Sequence, residues 1–435
     1  MNIVMIGPFG LKLKSTMRER ALPMARALHR RGHQLTVIVP PWDSPEDAGK
    51  SWRDEGVLVI NTTLPRLKGP LFHLQLTGEL VKLALQFQPD VIHLFKPKAY
   101  AGLAHVLLRS LKQLWRHNIK LAVDEDDWEV AWNEVNNYTA AQKRFFAWQE
   151  PWGLARADIV TVASKQLRYL VEKYRVPPKS IFYIPNGVRP IDSPLKILKA
   201  HALWQEELLR VAAGAAAKTP LPNKAFLDLD LRYKEFGNRV REQYDLFDRP
   251  IILLYTRFAE FELETLLEVI YKVSRYMPVA RWLIVGKGYF GEEKKLAQLA
   301  RRRGIANKLI FTGWVAQQEL PYYFEAANVA LHLYEDNVIN RTKCSVKLLD
   351  LMSAGVPVVA TNVGQNAEYI VHRDTGLLVP PGDVKAMANN LVNILSVQGL
   401  QYTLGRAAAR HVNQAFKWDN LVKPVEQAYG MTNDE

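Results

Sequence analysis

The sequence predicts an α/β protein made of two doubly wound, Rossmann-like domains that face a common cleft. The chain has 435 residues, which is more than one hydrophobic core usually organises. Apolar runs of strand length alternate with amphipathic helical stretches, and this alternation occurs twice along the chain. Such runs are typical of parallel strands that helices cover on both faces of the sheet.

The first series of predicted strands occupies the N-terminal half. Its members are Asn2–Gly7, Gln34–Val39, Val57–Thr62, Asp90–Phe95, Lys120–Asp124, Asp158–Ala163 and Ser180–Pro185. A helical stretch follows the first strand; Ser15 is its predicted cap, and it extends to Arg31, with Gly32 as the stop signal. Further helices are predicted at Tyr100–Trp115 and Lys165–Tyr174.

The second series begins after residue 249 and repeats the same alternation. Its predicted strands are Ile251–Tyr255, Arg281–Val285, Lys308–Phe311, Val329–Leu333, Val356–Ala360 and Gly376–Val379. We therefore place an N-terminal domain at 1–188 and a C-terminal domain at 250–415. The segment 189–249 is too long for a simple linker. Its helical stretches, His201–Lys218 and the region around Leu231–Tyr244, predict an insertion that either packs on the hinge or covers the cleft.

Charge and cysteine content indicate the partners and the compartment. The net charge is +13, and residues 1–188 hold 26 Lys and Arg against 17 Asp and Glu. This excess indicates attraction to phosphates or to an anionic membrane surface, or a solvated basic surface that favours solubility. The single cysteine, Cys344, favours a reducing cytoplasm. The N-terminus has no signal-peptide pattern, and no apolar run approaches the length of a membrane span.

Basic residues concentrate on and beside the first predicted helix. They are Lys12, Lys14, Arg18, Arg20, Arg30 and Arg31. Leucine and methionine side chains are interleaved with them, which predicts peripheral attachment to the inner face of an anionic membrane. The alternative is that some of them line the cleft and bind a phosphorylated acceptor. No nucleic-acid partner is expected.

Five motifs in the second half carry the most specific signal. They are Val285-Gly-Lys-Gly288, Phe311-Thr-Gly-Trp-Val315, the segment Lys347–Thr361, Val363–Ile370 and Asp374–Gly382. In this order and spacing they resemble the C-terminal domain of glycosyltransferase family 4, which has the GT-B fold. The resemblance implies a retaining, hexosyltransferase-type enzyme that binds a nucleotide-diphosphate sugar in its C-terminal domain. It also implies that a helix around Asn420–Tyr429, within the segment 416–435, crosses back to the N-terminal domain.

The resemblance assigns donor-binding roles to individual residues. Arg257 matches the arginine that binds the donor diphosphate and supports catalysis, and Asp350 matches the carboxylate that binds the ribose. The remaining matches are Gly286 and Gly288 in a loop near the donor, Thr312, Trp314 and Val315 beside the base, and Gly10 above the donor sugar. The loop that contains Gly10 lacks the GxGxxG spacing, so nicotinamide and flavin cofactors are not expected.

Two positions depart from the family pattern. Glu262 stands where the family usually has a lysine, and Thr342 stands where it usually has a second glutamate. The loss of a cation beside a diphosphate removes a charge-assisted contact. Lys343 or Lys347 are the candidates to replace that charge, with Arg341 as a third possibility.

An acidic run follows the strand Lys120–Asp124. Its sequence is Asp124-Glu-Asp-Asp-Trp128, and four adjacent carboxylates repel one another unless something requires them. We predict catalytic roles for Asp126 and Asp127 and acceptor contacts for Glu125 and Trp128. The alternatives are a helix-start or hinge role and, with less support, a divalent metal; we expect no metal requirement, because a short acidic string is a weak metal signal.

Two other functions compete with the transferase. A non-catalytic protein that binds sugar nucleotides would explain Glu262 and Thr342. A GT-B epimerase is the second alternative, and the segment Lys347–Thr361 argues against it, because it looks like that of the transferases.

Overall fold

A computed structural model of the chain describes residues 1–12, 16–115, 118–188, 237–397 and 399–430. The chain divides into two compact units. The first contains residues 1–187, 337–346 and 416–435, and the second contains residues 188–336 and 347–415. The predicted helix His201–Lys218 and the predicted cap Ser15 lie outside the described residues, as does most of the insertion at 189–249.

An eight-stranded sheet forms the centre of the first unit. Its strands are β1 Asn2–Ile6, β2 Gln34–Val39, β3 Ser51–Asp54, β4 Val57–Asn61, β5 Val91–Phe95, β6 Lys120–Glu125, β7 Ile159–Val162 and β8 Ile181–Tyr183. Their order is β3-β4-β2-β1-β5-β6-β7-β8, and neighbouring strands are parallel except for β3 and β4. The prediction missed β3, because this antiparallel edge strand is mostly exposed and has no apolar run.

Helices cover both faces of this sheet. In chain order they are α1 Leu22–Arg30, α2 Pro70–Gln86, α3 Ala99–Trp115, α4 Glu129–Val135, α5 Ala140–Leu154 and α6 Lys165–Lys173. A π-helical turn, Met17–Ala21, leads into α1. Side chains alternate along β1: Ile3 and Met5 join the core beneath α1, whereas Val4 and Ile6 join the core beneath α2 and α3.

A six-stranded, all-parallel sheet forms the second unit. Its strands are β9 Ile251–Tyr255, β10 Arg281–Val285, β11 Leu309–Gly313, β12 Val329–His332, β13 Val358–Thr361 and β14 Leu377–Val379. The strand order is β11-β10-β9-β12-β13-β14. Successive strands are added on one side of β9 up to β11 and on its other side from β12 onward, so the strand order reverses between β9 and β12. Doubly wound sheets bind ligands at the carboxyl ends of the strands at such a reversal point.

The remaining helices belong to both units. They are α7 Leu263–Tyr276, α8 Glu292–Arg302, α9 Leu320–Ala326, α10 Val338–Thr342, α11 Val346–Ser353, α12 Asn366–Tyr369, α13 Val384–Ser396, α14 Leu400–Ala415 and α15 Trp418–Gly430. Residues 237–243 are also helical. Helix α15 buries Trp418, Val422 and Tyr429 in the core of the first unit. Helix α10 also belongs to the first unit, which the single predicted range 250–415 did not anticipate.

The two predicted sheets and their strands are present, so the predicted fold class is confirmed. Strand bounds differ from the prediction by one or two residues at several ends, as is usual where an apolar run continues into a loop. Within the described residues, no helix is both long enough and apolar enough to cross a membrane.

Candidate active site

The loop after β9 fixes the position of Arg257 in the second unit. The backbone N–H of Phe258 donates to Thr256 Oγ1 at 2.8 Å, and Phe258 adopts a left-handed φ of 64°. The rings of Phe258 and Phe261 are buried in the core, which anchors the loop on both sides of the turn. Arg257 directly precedes these anchors, at the carboxyl end of β9.

The Arg257 side chain lies among aromatic rings. Its Nη1 donates to the Tyr289 hydroxyl at 2.9 Å, and its guanidinium carbon is 5.5 Å from the centroid of the Trp314 ring. Tyr289 and Trp314 are both exposed. A guanidinium held by cation–π contacts stays charged and keeps free N–H directions for an anion. Thr312 is half-buried and Val315 is buried beside Trp314.

Lys347 contacts the same loop. Its Nζ lies 3.0 Å from Glu260 Oε1, and Glu260 is buried. The loop after β12 joins it there: the N–H of Glu335 donates to the Glu260 carbonyl at 2.9 Å, and the Glu335 carboxylate accepts from the N–H of Glu262. The structure therefore places Arg257 on a loop that Lys347 contacts from the start of α11, at the reversal point of the sheet. Asp350, one turn after Lys347 on α11, is buried.

The predicted glycines have reasons within the fold. A Cβ at Gly286 would lie 1.9 Å from the Thr256 carbonyl oxygen, and its φ is 122°. A Cβ at Gly288 would lie 2.1 Å from Glu292 Oε2, and its N–H donates to Glu293 Oε2 at 3.1 Å. Close packing of the chain on itself thus accounts for both glycines, whereas the sequence interpretation had invoked close approach to a ligand.

In the first unit, Asp124 is the centre of a buried network. Arg20 donates to both of its carboxylate oxygens at 2.7 Å, and the Thr161 hydroxyl donates to Oδ1 at 2.5 Å. His93 connects Thr161 to the Tyr429 hydroxyl on α15. Burial would raise the pKa of Asp124, but Arg20 and Thr161 more than offset this, and the pKa is lowered. Burial lowers the pKa of His93 to about 4, so its ring is neutral.

Lys96 lies among the next carboxylates. Its Nζ is 2.8 Å from Asp126 Oδ1, 3.1 Å from Asp127 Oδ2 and 2.5 Å from Glu129 Oε1. Among the described residues, these three carboxylates are the group whose spacing could hold a metal ion, and the lysine ammonium already supplies a positive charge there. The Thr16 hydroxyl donates to Asp126 Oδ2 at 2.8 Å. Burial raises the pKa of Asp126 to about 6, although Lys96 opposes this shift.

Sequence reasoning missed Lys96. A signal was present: Lys96 follows β5 directly, the acidic run follows β6, and these strands are parallel neighbours. The carboxyl ends of adjacent parallel strands meet at one edge of a sheet. Asp127 remains partly exposed, with 28% of its side-chain surface accessible, so it is the carboxylate of this cluster most open to a ligand.

The predicted acceptor residue Glu125 does not reach the protein surface. It is the last residue of β6 and is buried, and burial together with the charge of Glu150 raises its pKa well above the usual range. Burial and Glu129 raise the pKa of Glu150 to about 8. Glu150 is therefore mostly protonated at pH 7, and both side chains lie in a site closed to solvent. Trp128 is half-buried and packs against the core beneath α3.

Two predicted donor residues lie in the first unit. The N–H of Gly10 donates to Asp43 Oδ1 at 2.9 Å, and a Cβ there would meet Asp43 and Ser44. Lys343 belongs to the segment 337–346, and its Nζ is 5.3 Å from the centroid of the Trp132 ring. Both residues belong to the first unit, and their donor roles stay predictions.

The predicted basic face of the first helix is not present as a set of free charges. Arg20 is 1% exposed and bound to Asp124. Lys12 pairs with Glu46 and Asp47, Arg18 with Glu19, Arg30 with Glu55 and Asp419, and Arg31 with Glu426. Lys14 lies outside the described residues. Membrane attachment through these residues stays a prediction, because a net charge does not show which cations have acidic neighbours in space.

Comparison with known proteins identifies the family. Residues 249–397 match the sequence model described as "Glycosyl transferases group 1", and residues 15–187 match the "Glycosyl transferase 4-like domain". A curated protein of Mycobacterium tuberculosis, named GDP-mannose-dependent alpha-(1-6)-phosphatidylinositol monomannoside mannosyltransferase, is 30% identical over 402 residues, which cover 92% of this chain and 90% of that protein. The chain belongs to the group 1 glycosyltransferases.

Solved structures agree with this glycosyltransferase fold. Sucrose-phosphate synthase from Thermosynechococcus elongatus matches with a TM-score of 0.66 at 20% identity and covers 98% of each chain. The Anabaena protein HepE, solved with UDP and glucose, matches with a TM-score of 0.66 at 17% identity and covers 99% of each chain. The predicted family and the GT-B fold are therefore confirmed, and the glycosyltransferase is an enzyme, as predicted.

Proposed function

We propose that this glycosyltransferase transfers a hexosyl group from a nucleotide-diphosphate sugar to an acceptor, with retention of anomeric configuration. The second unit takes the donor, and the first unit takes the acceptor. The observation that carries this proposal is the position of Arg257, which is partly exposed at the reversal point of the all-parallel sheet, on a loop that Lys347 of α11 contacts through Glu260. Anions are bound at such points by guanidinium groups and the adjacent backbone.

Arg257 has the main role in the donor step. When the bond between the anomeric carbon and the diphosphate oxygen breaks, negative charge develops on the diphosphate, and a fixed guanidinium stabilises it. Lys347 adds a second cation, although its ion pair with Glu260 partly neutralises the charge. Asp350 binds the ribose hydroxyls in this scheme, as the family resemblance implies, and Trp314 offers a ring face to the base.

Asp127 is the group that we assign to the acceptor. The new bond forms between an acceptor hydroxyl oxygen and the anomeric carbon, and the hydroxyl proton leaves to a base. Asp126 has both carboxylate oxygens engaged by Thr16 and Lys96, whereas Asp127 keeps exposed surface. Because Lys96 supplies the positive charge beside these carboxylates, we propose that no metal is needed there. A cytoplasmic location also remains a prediction.

A donor panel tests the proposal. The purified chain is screened by thermal shift and by product formation with UDP-, GDP- and ADP-hexoses; the relative named for GDP-mannose and the neighbour solved with UDP motivate this choice. We expect Arg257→Ala and Asp350→Ala each to weaken donor affinity by about tenfold or more, because a charged hydrogen bond contributes roughly 1.5–3 kcal/mol. Arg275→Ala, in the last turn of α7, is the matched control.

The outcome separates the parts of the proposal. Unchanged donor affinity in both variants would remove the second unit as the donor site. NMR of the product anomer in the first minutes of reaction tests retention, and inversion would refute it. Full activity in EDTA is expected, and a loss that Mg²⁺ or Mn²⁺ restores would contradict the metal-free scheme.

A further inference from the structure

Two exposed segments of the first unit combine apolar side chains with cations and contain no carboxylate. The leucine segment, 66–74, covers the end of the connection from β4 and the start of α2, and it has the sequence Arg-Leu-Lys-Gly-Pro-Leu-Phe-His-Leu. The aromatic segment, 143–148, lies in the first turns of α5 and has the sequence Lys-Arg-Phe-Phe-Ala-Trp. Each segment therefore has two cations beside its apolar residues, of which Lys143 pairs with Glu134 at 3.3 Å.

The apolar side chains of these segments are open to solvent. Leu67, Leu71 and Leu74 are 47%, 58% and 66% exposed, and Phe145 and Trp148 are 38% and 46% exposed. Single exposed apolar residues are common on protein surfaces, but two short segments with several each indicate an interaction site.

The start of α3 connects the two segments. The Tyr100 hydroxyl lies 2.7 Å from His73 Nδ1 in the leucine segment. Gln149, which follows the aromatic segment directly, accepts a hydrogen bond from the N–H of Ala99 at 2.9 Å. Residues 99 and 100 thus contact both sides, so the segments belong to one face of the first unit.

This face lies beside the carboxylates that we assign to the acceptor. Helices α2 and α3 begin after the carboxyl ends of β4 and β5, which is the edge where the acidic run follows β6. Lys98 makes the direct connection: its Nζ is 4.8 Å from the centroid of the Phe146 ring and 3.0 Å from Glu129 Oε2.

We propose that the leucine and aromatic segments form a docking face for an anionic lipid bilayer. Leucine and aromatic side chains enter the boundary between head groups and acyl chains, and neighbouring cations attract anionic lipid. The absence of carboxylates within both segments fits a negatively charged surface. A second copy of the chain fits less well, because a symmetric contact would bring the same cations together.

One consequence concerns the acceptor and rests on the proposed function. A bilayer on this face lies next to the edge that carries Asp127, so the acceptor is the head group of a membrane lipid or a lipid-linked sugar. The docking itself does not depend on the donor site.

Cosedimentation with vesicles tests the docking face. The full chain is mixed with vesicles of phosphatidylcholine alone or with added phosphatidylglycerol, at low and high salt. We expect binding to the anionic vesicles at low salt. Leu71→Ser with Leu74→Ser, and separately Phe145→Ser with Trp148→Ser, should each weaken binding about tenfold or more. Lys68→Gln with Arg144→Gln should weaken binding at low salt only, because salt screens surface charge.

The matched control removes two apolar residues of similar exposure elsewhere. Tyr276 and Val279 in the second unit are 54% and 53% exposed, and Tyr276→Ser with Val279→Ser should leave vesicle binding unchanged. An equal loss in this control, or a wild-type chain that stays in the supernatant, would overturn the proposal. So would segment variants that abolish self-association in sedimentation velocity without an effect on vesicle binding.

Donor affinity, measured in the same variants, separates this inference from the proposed function. Loss of vesicle binding with unchanged donor affinity is the expected result. If the wild type does not bind vesicles but Arg257→Ala still weakens the donor, only the docking face fails. If docking holds while Arg257→Ala has no effect, only the proposed function fails.

Discussion

The two units place charge at the carboxyl edges of their sheets in opposite ways. In the first unit, Arg20, Asp124 and Lys96 are buried. Arg20 pairs with Asp124 at 2.7 Å, and Lys96 pairs with Asp126 at 2.8 Å. In the second unit, Arg257 is only half-buried and contacts aromatic rings and a hydroxyl. Most charges at the first edge are therefore paired within the fold, with Asp127 partly exposed, whereas the second edge presents a cation to solvent.

This difference separates charges that hold the fold from charges that meet a ligand. A buried ion whose partner is removed destabilises a protein strongly, because the remaining charge has lost its water and has nothing to replace it. A partly exposed ion keeps its water and costs little to remove. The same kind of substitution should thus affect stability in one unit and ligand binding in the other.

The largest expected effect compares Arg20→Met with Arg257→Met. Arg20→Met leaves Asp124 buried without its cation, and we expect the first unit to lose about 3–5 kcal/mol of unfolding free energy. Arg257→Met should change the stability of the second unit by no more than about 0.5 kcal/mol. Urea unfolding measures both, with limited proteolysis to assign each transition to its unit.

A second substitution checks the cause. Adding Asp124→Asn to Arg20→Met removes the uncompensated charge and should recover part of the stability. Arg26→Met is the surface control, because its partner Asp54 is partly exposed. Equal losses for Arg20→Met and Arg26→Met would mean that the buried network does not hold the fold.

The next effect concerns Lys96 as a positioning residue for Asp126 and Asp127. Lys96→Met should lower kcat/KM at pH 7 by about a hundredfold, in the range of general acid–base contributions. The pKa of Asp126 is about 6 with Lys96 present. Protonated Asp126 no longer pairs with the lysine that also holds Asp127, so we expect activity to fall as pH drops through 6. Without the lysine that pKa rises further, and this limb of the pH profile moves to higher pH.

Two controls accompany this measurement. Lys96→Arg keeps the charge and should recover most of the activity and the original pH profile. Lys112→Met removes a partly buried lysine that pairs with Asp158 at 2.7 Å, away from the acidic run, and should leave the pH profile unchanged. A Lys96→Met profile that is lower but not displaced would indicate a purely structural role.

The sequence was sufficient for the fold where hydrophobic periodicity was strong. Buried parallel strands such as β5 and β9 are continuous apolar runs, and their positions followed from that pattern. The edge strand β3 has mostly exposed residues and was missed. The assignment of α10 to the first unit was also missed. The hydrophobic periodicity of a short helix does not show which sheet the helix packs against.

The site was predictable only where a motif carried it. Arg257 and Lys347 came from family motifs, and Lys347 contacts the loop that carries Arg257 through Glu260. Lys96 belongs to no motif, and its role depends on strands adjacent in space. Glu125 looked like its acidic neighbours in the sequence, but it is the last residue of a strand that is buried on both faces. Counting charges could not show that Arg30 and Arg31 have carboxylate partners on α15.

The smallest expected effect returns to the second unit and its departure from the family. Glu262 directly precedes α7, and its N–H donates to the Glu335 carboxylate. It is therefore part of the loop that carries Arg257. Glu262→Lys should raise affinity for a nucleoside diphosphate by about fivefold or less, because an exposed cation adds only a small, salt-screened attraction.

The comparison of ligands decides whether this added charge meets phosphate. Isothermal titration with UDP and GDP, and with the corresponding nucleosides, should show a gain for the diphosphates alone, and the gain should disappear at high salt. Glu264→Lys, two residues further into α7 with an exposed side chain, is the control for net charge and should give a smaller gain. If uridine and guanosine gain as much as their diphosphates, position 262 does not face the phosphates, and the donor's charge is balanced by Arg257 and Lys347 without it.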